Sequence, residues 1–146
     1  MIHNTSSQQG FTLIEVLVAA TIIAVLTSIG VVSYQAANRR ARDAKRKADL
    51  EQIRAALEMY RADCDGYPSS VSFGSSLVGA GVCAGNTYMQ QVPQDPKYSY
   101  SYKSLSSNTS YVLCAYVENT SEVYTGCTSS CSSCGSQSCN YEVCPP

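Results

Sequence analysis

The chain has 146 residues with a net charge of -1, eight cysteines and eleven tyrosines, a length that allows one modest core and excludes a large multidomain enzyme. The near-neutral total hides an asymmetry, since residues 39–61 hold eight Lys or Arg against four Asp or Glu, whereas residues 63–146 hold two against six. An acidic head of this kind excludes the dense cationic surface that gives nucleic-acid binding its affinity, while the basic segment remains able to touch anionic lipid.

The first ten residues, MIHNTSSQQG, are polar and contain no Lys or Arg. From Phe11 to Tyr34 the chain then reads FTLIEVLVAATIIAVLTSIGVVSY, 24 residues with one formal charge, Glu15. At about 1.5 Å per residue a helix of that length spans about 36 Å, enough to cross a bilayer. A secretory signal peptide has a shorter apolar region, a positive start and a small-residue cleavage site, and none of these fits. The polar stretch that follows keeps helix-forming residues and sets Leu50, Ile53, Leu57 and Tyr60 along one stripe, so one helix is predicted over about residues 11–63. Asp65, Gly66 and Pro68 supply its stop, with Gly66 as the left-handed cap. Glu15 is the informative residue of the span. A carboxylate in hydrocarbon costs about 2.5 to 3.5 kcal/mol on insertion scales, and no Lys or Arg lies within two helical turns of it. Either it is hydrated near the membrane edge or its partner comes from another molecule.

The ten letters GFTLIEVLVA, Gly10 to Ala19, resemble the processing and methylation motif of type IV prepilins and the related secretion pseudopilins. That resemblance implies cleavage between Gly10 and Phe11 by a prepilin peptidase on the cytoplasmic side, and N-methylation of the new amine of Phe11. It also implies that Glu15 meets the N-terminal amine of a neighbouring subunit during assembly. Physically, an ammonium and a carboxylate brought together in a low-dielectric bundle relieve each other's desolvation, while a misplaced subunit leaves both unpaired, so the pair sets register. ADCDGYP (Ala62 to Pro68) with YMQQVPQDPKYSYSY (Tyr88 to Tyr102) is similar to the major pseudopilin and short pilins, which extends the likeness from residue 10 to about residue 117. The family implies an assembly platform protein and an ATPase as partners. The chain departs from it in three places. Its leader is uncharged, and Arg39, Arg40, Arg42, Lys45, Arg46 and Lys47 on the far side of the span would by the positive-inside rule orient it backwards; the motif and the cysteines outvote that rule. No Asp follows Asp95, and Glu118, Glu122 and Glu142 stand isolated among Ser, Thr and Tyr, so the calcium loop of major pseudopilins is not carried over. The third departure is the Cys-rich tail, residues 127–146.

Between Tyr98 and Val117, YSYSYK and SYVLCAYVE alternate in the period of half-buried strands around the turn-rich SLSSNTS, which predicts an antiparallel hairpin with Tyr98, Tyr100 and Tyr102 on one face. The tyrosines are read as sheet and surface packing rather than as an adhesive or electron-carrying set. All eight cysteines, Cys64, Cys83, Cys114, Cys127, Cys131, Cys134, Cys139 and Cys144, lie beyond the apolar span, and their even number indicates an oxidising compartment and disulfides. Five of them fall in the last 20 residues. Five is odd, so if every thiol pairs within the chain at least one bridge joins the tail to Cys64, Cys83 or Cys114; spacing does not choose among the pairings. A thiolate metal site at Cys131-x-x-Cys134 is the weaker reading, because only one such pair is present and exported thiols oxidise. A redox role is weaker again, with no basic residue after Lys103 to lower a thiol pKa. Asn108 and Asn119 fit glycosylation sequons, a match common by chance.

No catalytic constellation is found: the single histidine, His3, lies in the leader, and no phosphate loop or nucleophile elbow is present. The expected protein is an α+β, pilin-like subunit with no cofactor and no metal, one long N-terminal helix packed on a small antiparallel sheet with a disulfide-rich tail. Its expected divisions are a leader 1–10, a membrane and assembly helix 11–34, a helix continuation and head 35–126, and a Cys-rich tail 127–146. It is expected to wait in the cytoplasmic membrane and then polymerise with itself, and with minor pilins, into an extracellular or periplasmic type IV pilus-like filament. The alternatives are a type II secretion pseudopilin and a membrane-anchored, disulfide-rich binding protein that does not polymerise.

Overall fold

The structure is a computed structural model that describes residues 10–127, 129 and 131–146. Of the expected leader only Gly10 falls among them. The chain divides into two compact units, Met1–Asn38 and Arg39–Pro146. One helix, α1, runs Leu13–Cys64. It starts where Thr12 Oγ1 accepts the Glu15 N–H at 3.3 Å, satisfying one of the free donors of the first turn. It stops one residue earlier in the turn chemistry than the sequence suggests: the left-handed residue after Cys64 is Asp65, at φ 59°, and not Gly66. Asp tolerates that region better than most side chains, which is why the cap does not have to be glycine.

In the first unit, the described side chains from Phe11 to Tyr34 are all exposed, and this helix is the one among the described residues long and apolar enough to cross a membrane. Three of its hydroxyls are already satisfied. Thr21, Thr27 and Ser28 donate to the carbonyls of Val18, Ile23 and Val25 at 2.7 to 2.8 Å, which removes the main cost of placing them in hydrocarbon.

The second unit is the α+β head. Strands β1 (Leu77–Val78) and β2 (Thr87–Met89) form a two-stranded antiparallel sheet. Strands β3 (Ser101–Leu105), β4 (Ser110–Ala115) and β5 (Tyr141–Val143) form a second antiparallel sheet in the order β3-β4-β5. The expected hairpin is β3–β4, with Tyr102 opposite Leu113. Its turn takes Ser106, Ser107 and Asn108 through positive φ. The strand begins later than the Tyr-Ser alternation suggests, because Tyr98 and Tyr100 belong to the segment anchored by Asp95; Tyr100 is buried, and Tyr98 is partly so.

The stripe predicted on α1 forms the core. Leu50, Ile53 and Leu57 are each fully buried and Tyr60 nearly so, against Tyr67, Leu77, Val92, Tyr100, Tyr111, Leu113 and Val143. A fully buried Leu or Ile is worth about 1.5–3 kcal/mol by transfer alone, so this face is what docks the helix on the sheet. β4 departs from the half-buried pattern. Tyr111, Leu113 and Ala115 face the α1 side, and Val112 and Cys114 on the other face are equally buried, in a second cluster with Cys131 and Cys134. The tail supplies that second cover. It also supplies β5, a strand the Ser- and Cys-rich composition gave no reason to expect.

Candidate functional site

Gly10, Phe11 and Glu15, the residues expected to carry processing and assembly, lie together at the start of α1 and are exposed. Thr12 and Glu15 stand at N-cap and N3, the spacing of a capping box. The hydroxyl half of that box is formed, and Glu15 near the helix N-terminus is also favoured by the helix dipole. Among the described residues no donor meets the Glu15 carboxylate. The T-x-x-E spacing is a signal that a reading centred on Glu15 alone passes over.

A second constellation lies wholly inside the head, and hydropathy gave no hint of it. The stripe of α1 extends backwards through Arg46 and Asp43, at the same three-and-four spacing as Leu50, Ile53, Leu57 and Tyr60, so two charged residues occupy core positions. Asp43 is fully buried and Arg46 is 3% exposed. Asp43 accepts the backbone N–H groups of Glu118 and Asn119, each at 2.9 Å, and Arg46 Nη1 at 2.7 Å. Arg46 also donates through Nε to Asp95 and through Nη1 to Glu118 at 3.1 Å, and its guanidinium lies 5.1 Å from the centre of the Tyr98 ring. Asp95 in turn accepts from the N–H groups of Lys97 and Tyr98. Arg42 grips Glu118 with two parallel bonds of 2.8 and 2.7 Å, Lys47 pairs with Glu122, and Tyr100 donates to Asp49 at 2.8 Å. Arg42, Arg46 and Lys47 of the basic segment are thus committed to head carboxylates. Glu118 and Glu122, isolated in sequence, are their partners.

These contacts set the charge states. Hydrogen bonds from Arg42 first, then those from Arg46 against the opposing effect of burial, pull the Glu118 carboxyl down to about 2. Burial pushes Asp95 up, but the Arg46 guanidinium and the two backbone N–H groups outweigh it and hold it below its ordinary value. Burial works against the charge of Arg46, yet bonds to Asp95, Asp43 and Glu118 raise its pKa. The arrangement has no reacting centre. It fixes the loop after β4 to α1, since a buried guanidinium with three carboxylates tolerates few other positions.

All eight cysteines pair: Cys64–Cys83, Cys114–Cys131, Cys127–Cys144 and Cys134–Cys139, with Cα separations of 5.2, 6.2, 6.0 and 5.1 Å. Cys64 is the last residue of α1, so the first bridge ties the helix end to the 3-10 turn Gly81–Cys83. Cys114–Cys131 is the one that joins the tail to an earlier cysteine.

A model of the prokaryotic N-terminal methylation motif matches residues 5–31, and a model of type II secretion system (T2SS), protein G, matches residues 33–129, well over half of the chain. The chain belongs to the type II secretion system protein G family. It is similar to type II secretion system core protein G of Klebsiella pneumoniae, at 32% identity with 68% of this chain and 75% of that one covered. The protein of the same name from Aeromonas hydrophila is 31% identical over 68% and 73% of the two chains, and that of Pseudomonas aeruginosa is 32% identical over 70% and 76%. No solved structure matches. This chain is therefore a pilin-like structural subunit of the protein G family, the pseudopilin branch of the readings above. The protein G match takes in Arg42, Asp43, Arg46, Asp95 and Glu118 and ends at residue 129. Cys131, Cys134, Cys139, Cys144 and β5 lie beyond it, so three of the four bridges use a cysteine outside the matched region.

Proposed function

We propose that the chain is the filament-forming pseudopilin of a type II secretion apparatus. It is made as a single-pass precursor in the cytoplasmic membrane with residues 1–10 as leader, cut between Gly10 and Phe11 by a prepilin peptidase and N-methylated at Phe11. Residues 11–34 then form the membrane and assembly segment, residues 35–126 the helix continuation and head, and residues 127–146 the stapled tail, the head lying on the periplasmic side. Subunits polymerise through α1, driven by a platform protein and its ATPase, and do no chemistry of their own. Packing of apolar stems against one another replaces lipid contact, so hydrophobic transfer contributes little and the specific terms decide assembly.

The observation that carries this reading is the unmatched Glu15. The hydroxyls of Thr21, Thr27 and Ser28 are satisfied within the helix, whereas among the described residues its carboxylate meets no donor. The methylated amine of Phe11 from a neighbouring subunit is a donor of the right charge, and pairing removes the desolvation cost of both groups. Replacing Glu15→Ala and assaying sheared filaments against membrane-bound monomer tests it. Monomers trapped in the membrane are expected; a normal filament yield sinks the pairing. Mass spectrometry of the mature protein is expected to find methyl-Phe11 at the N-terminus, and an intact Met1 would overturn the processing step.

A further inference from the structure

The four bridges are threaded in two ways. Cys64–Cys83 and Cys134–Cys139 join cysteines that are neighbours in the chain, whereas Cys114–Cys131 and Cys127–Cys144 cross, each having one end inside the other's loop. The crossing is built into the sheet. Cys114 sits in β4, fully buried on the face that Cys131 and Cys134 cover. Cys144 directly follows β5, the last element of the chain, and β5 is held on β4 with Leu113 opposite Val143 and Cys114 opposite Glu142. Glu142 also accepts the Cys127 N–H at 3.4 Å. Cys127 and Cys144 therefore meet only after the final strand has docked.

Before that point the statistics of the chain favour other pairs. Cys127 stands 13 residues after Cys114 and Cys131 stands 17 after it, so random closure prefers the non-native Cys114–Cys127 pair by about 1.5-fold. Order of arrival adds to this. When Cys114, Cys127, Cys131 and Cys134 have crossed the membrane, Cys139 and Cys144, the native partners of Cys134 and Cys127, have not emerged. The sheet that would select the right partner is still missing its last strand.

We propose that the chain is a substrate of a thiol–disulfide isomerase as well as of a dithiol-forming oxidant, the isomerase converting pairs such as Cys114–Cys127 into the crossed bridges. The proposal rests on the exported, N-to-C reading given above. Eight thiols become four bridges with loss of eight protons and eight electrons, which the oxidant's disulfides accept as they are reduced to dithiols. Isomerisation itself moves no net electrons. The isomerase thiolate attacks Cys127 Sγ, the Cys114–Cys127 bond breaks and Cys114 leaves as thiolate. The Cys144 thiolate then attacks the same Cys127 Sγ, forming the native bridge and releasing the isomerase thiolate. Cys114 and Cys131 are closed by the oxidant.

The test is expression of the full chain in a host whose envelope contains the oxidant, with and without its disulfide isomerase, followed by trapping of free thiols with an alkylating agent. No Lys or Arg follows Lys103, so a glutamate-specific protease with fragmentation mass spectrometry places the bridges. Native connectivity is expected to fall several-fold without the isomerase and to return when it is supplied again. Uncrossing the bridges by Cys127→Ser with Cys144→Ser leaves three bridges between consecutive cysteines and is expected to abolish their dependence on the isomerase. Equal native connectivity in both hosts overturns the proposal, as does a dependence that survives in the uncrossed variant. A wild-type chain with all eight thiols alkylated in either host overturns the export reading instead, a result distinct from native bridges formed without help.

Discussion

Between Phe11 and Tyr34 the apolar side chains of α1 are exposed and the one carboxylate meets no donor among the described residues; between Asp43 and Tyr60 the same helix carries an aspartate and an arginine into buried positions where each has several partners. Charge and exposure are inverted between the two segments. The difference lies in where the partners are encoded. For the second segment they are Asp95, Glu118 and Asn119, later in the same chain, so folding satisfies it. For the first segment none is found among the described residues, which fits the proposed packing of its exposed apolar surface against lipid and then against other stems.

The largest break of this contrast comes at Arg46. Replacing it with Ala leaves Asp43, Asp95 and Glu118 without their common cation, and a loss of about 3–5 kcal/mol is expected in denaturant unfolding of the head, because a buried charge deprived of its partner is far more costly than the pair is stabilising. A smaller effect is expected from pH. The Glu118 and Asp95 carboxyls are both held below their unfolded values, so their contribution is complete above those values, near pH 4.5 for Glu118, and is lost as pH falls towards about 2. Acid titration of thermal stability is expected to show this slope, and Glu118→Gln to flatten part of it. Smaller again is Tyr111→Phe, which removes a fully buried hydroxyl that has no hydrogen-bond partner among the described residues; a change within about 1 kcal/mol, neutral to stabilising, is expected in the same unfolding assay. Glu15→Ala is expected to shift head unfolding by less than about 0.5 kcal/mol while abolishing filaments. A large loss of head stability there would collapse the distinction between the two segments.

What could be read from sequence follows the same division. The apolar span, the Leu50-Ile53-Leu57-Tyr60 stripe and the β3–β4 hairpin are written in local periodicity, and each is found. Asp43 and Arg46 share that stripe, but a charged pair on a helix is usually solvated, and only the fold brings Asp95 and Glu118 against it. β5 was hidden for a different reason. Three residues, Tyr141–Val143, carry too little pattern to announce a strand, and its place on β4 is fixed by two-sided burial and by neighbouring cysteines rather than by propensity. Gly66 misled because glycine is the commonest left-handed cap, while Asp65 one residue earlier is able to take that conformation.

The bridge at the end of α1 has a mechanical meaning. Within the head the apolar stripe of the helix is flanked by two fastenings of unlike character, ionic hydrogen bonds around Asp43 and Arg46 and the covalent link of Cys64 to Cys83. A load that pulls the helix off the sheet cannot start peeling from the covalent end without breaking a sulfur–sulfur bond. It has to open the ionic end first, where water can re-solvate each charge as it is released. The head is thus a graded fastening, with a reversible clasp around Asp43 and Arg46 and a rivet at Cys64.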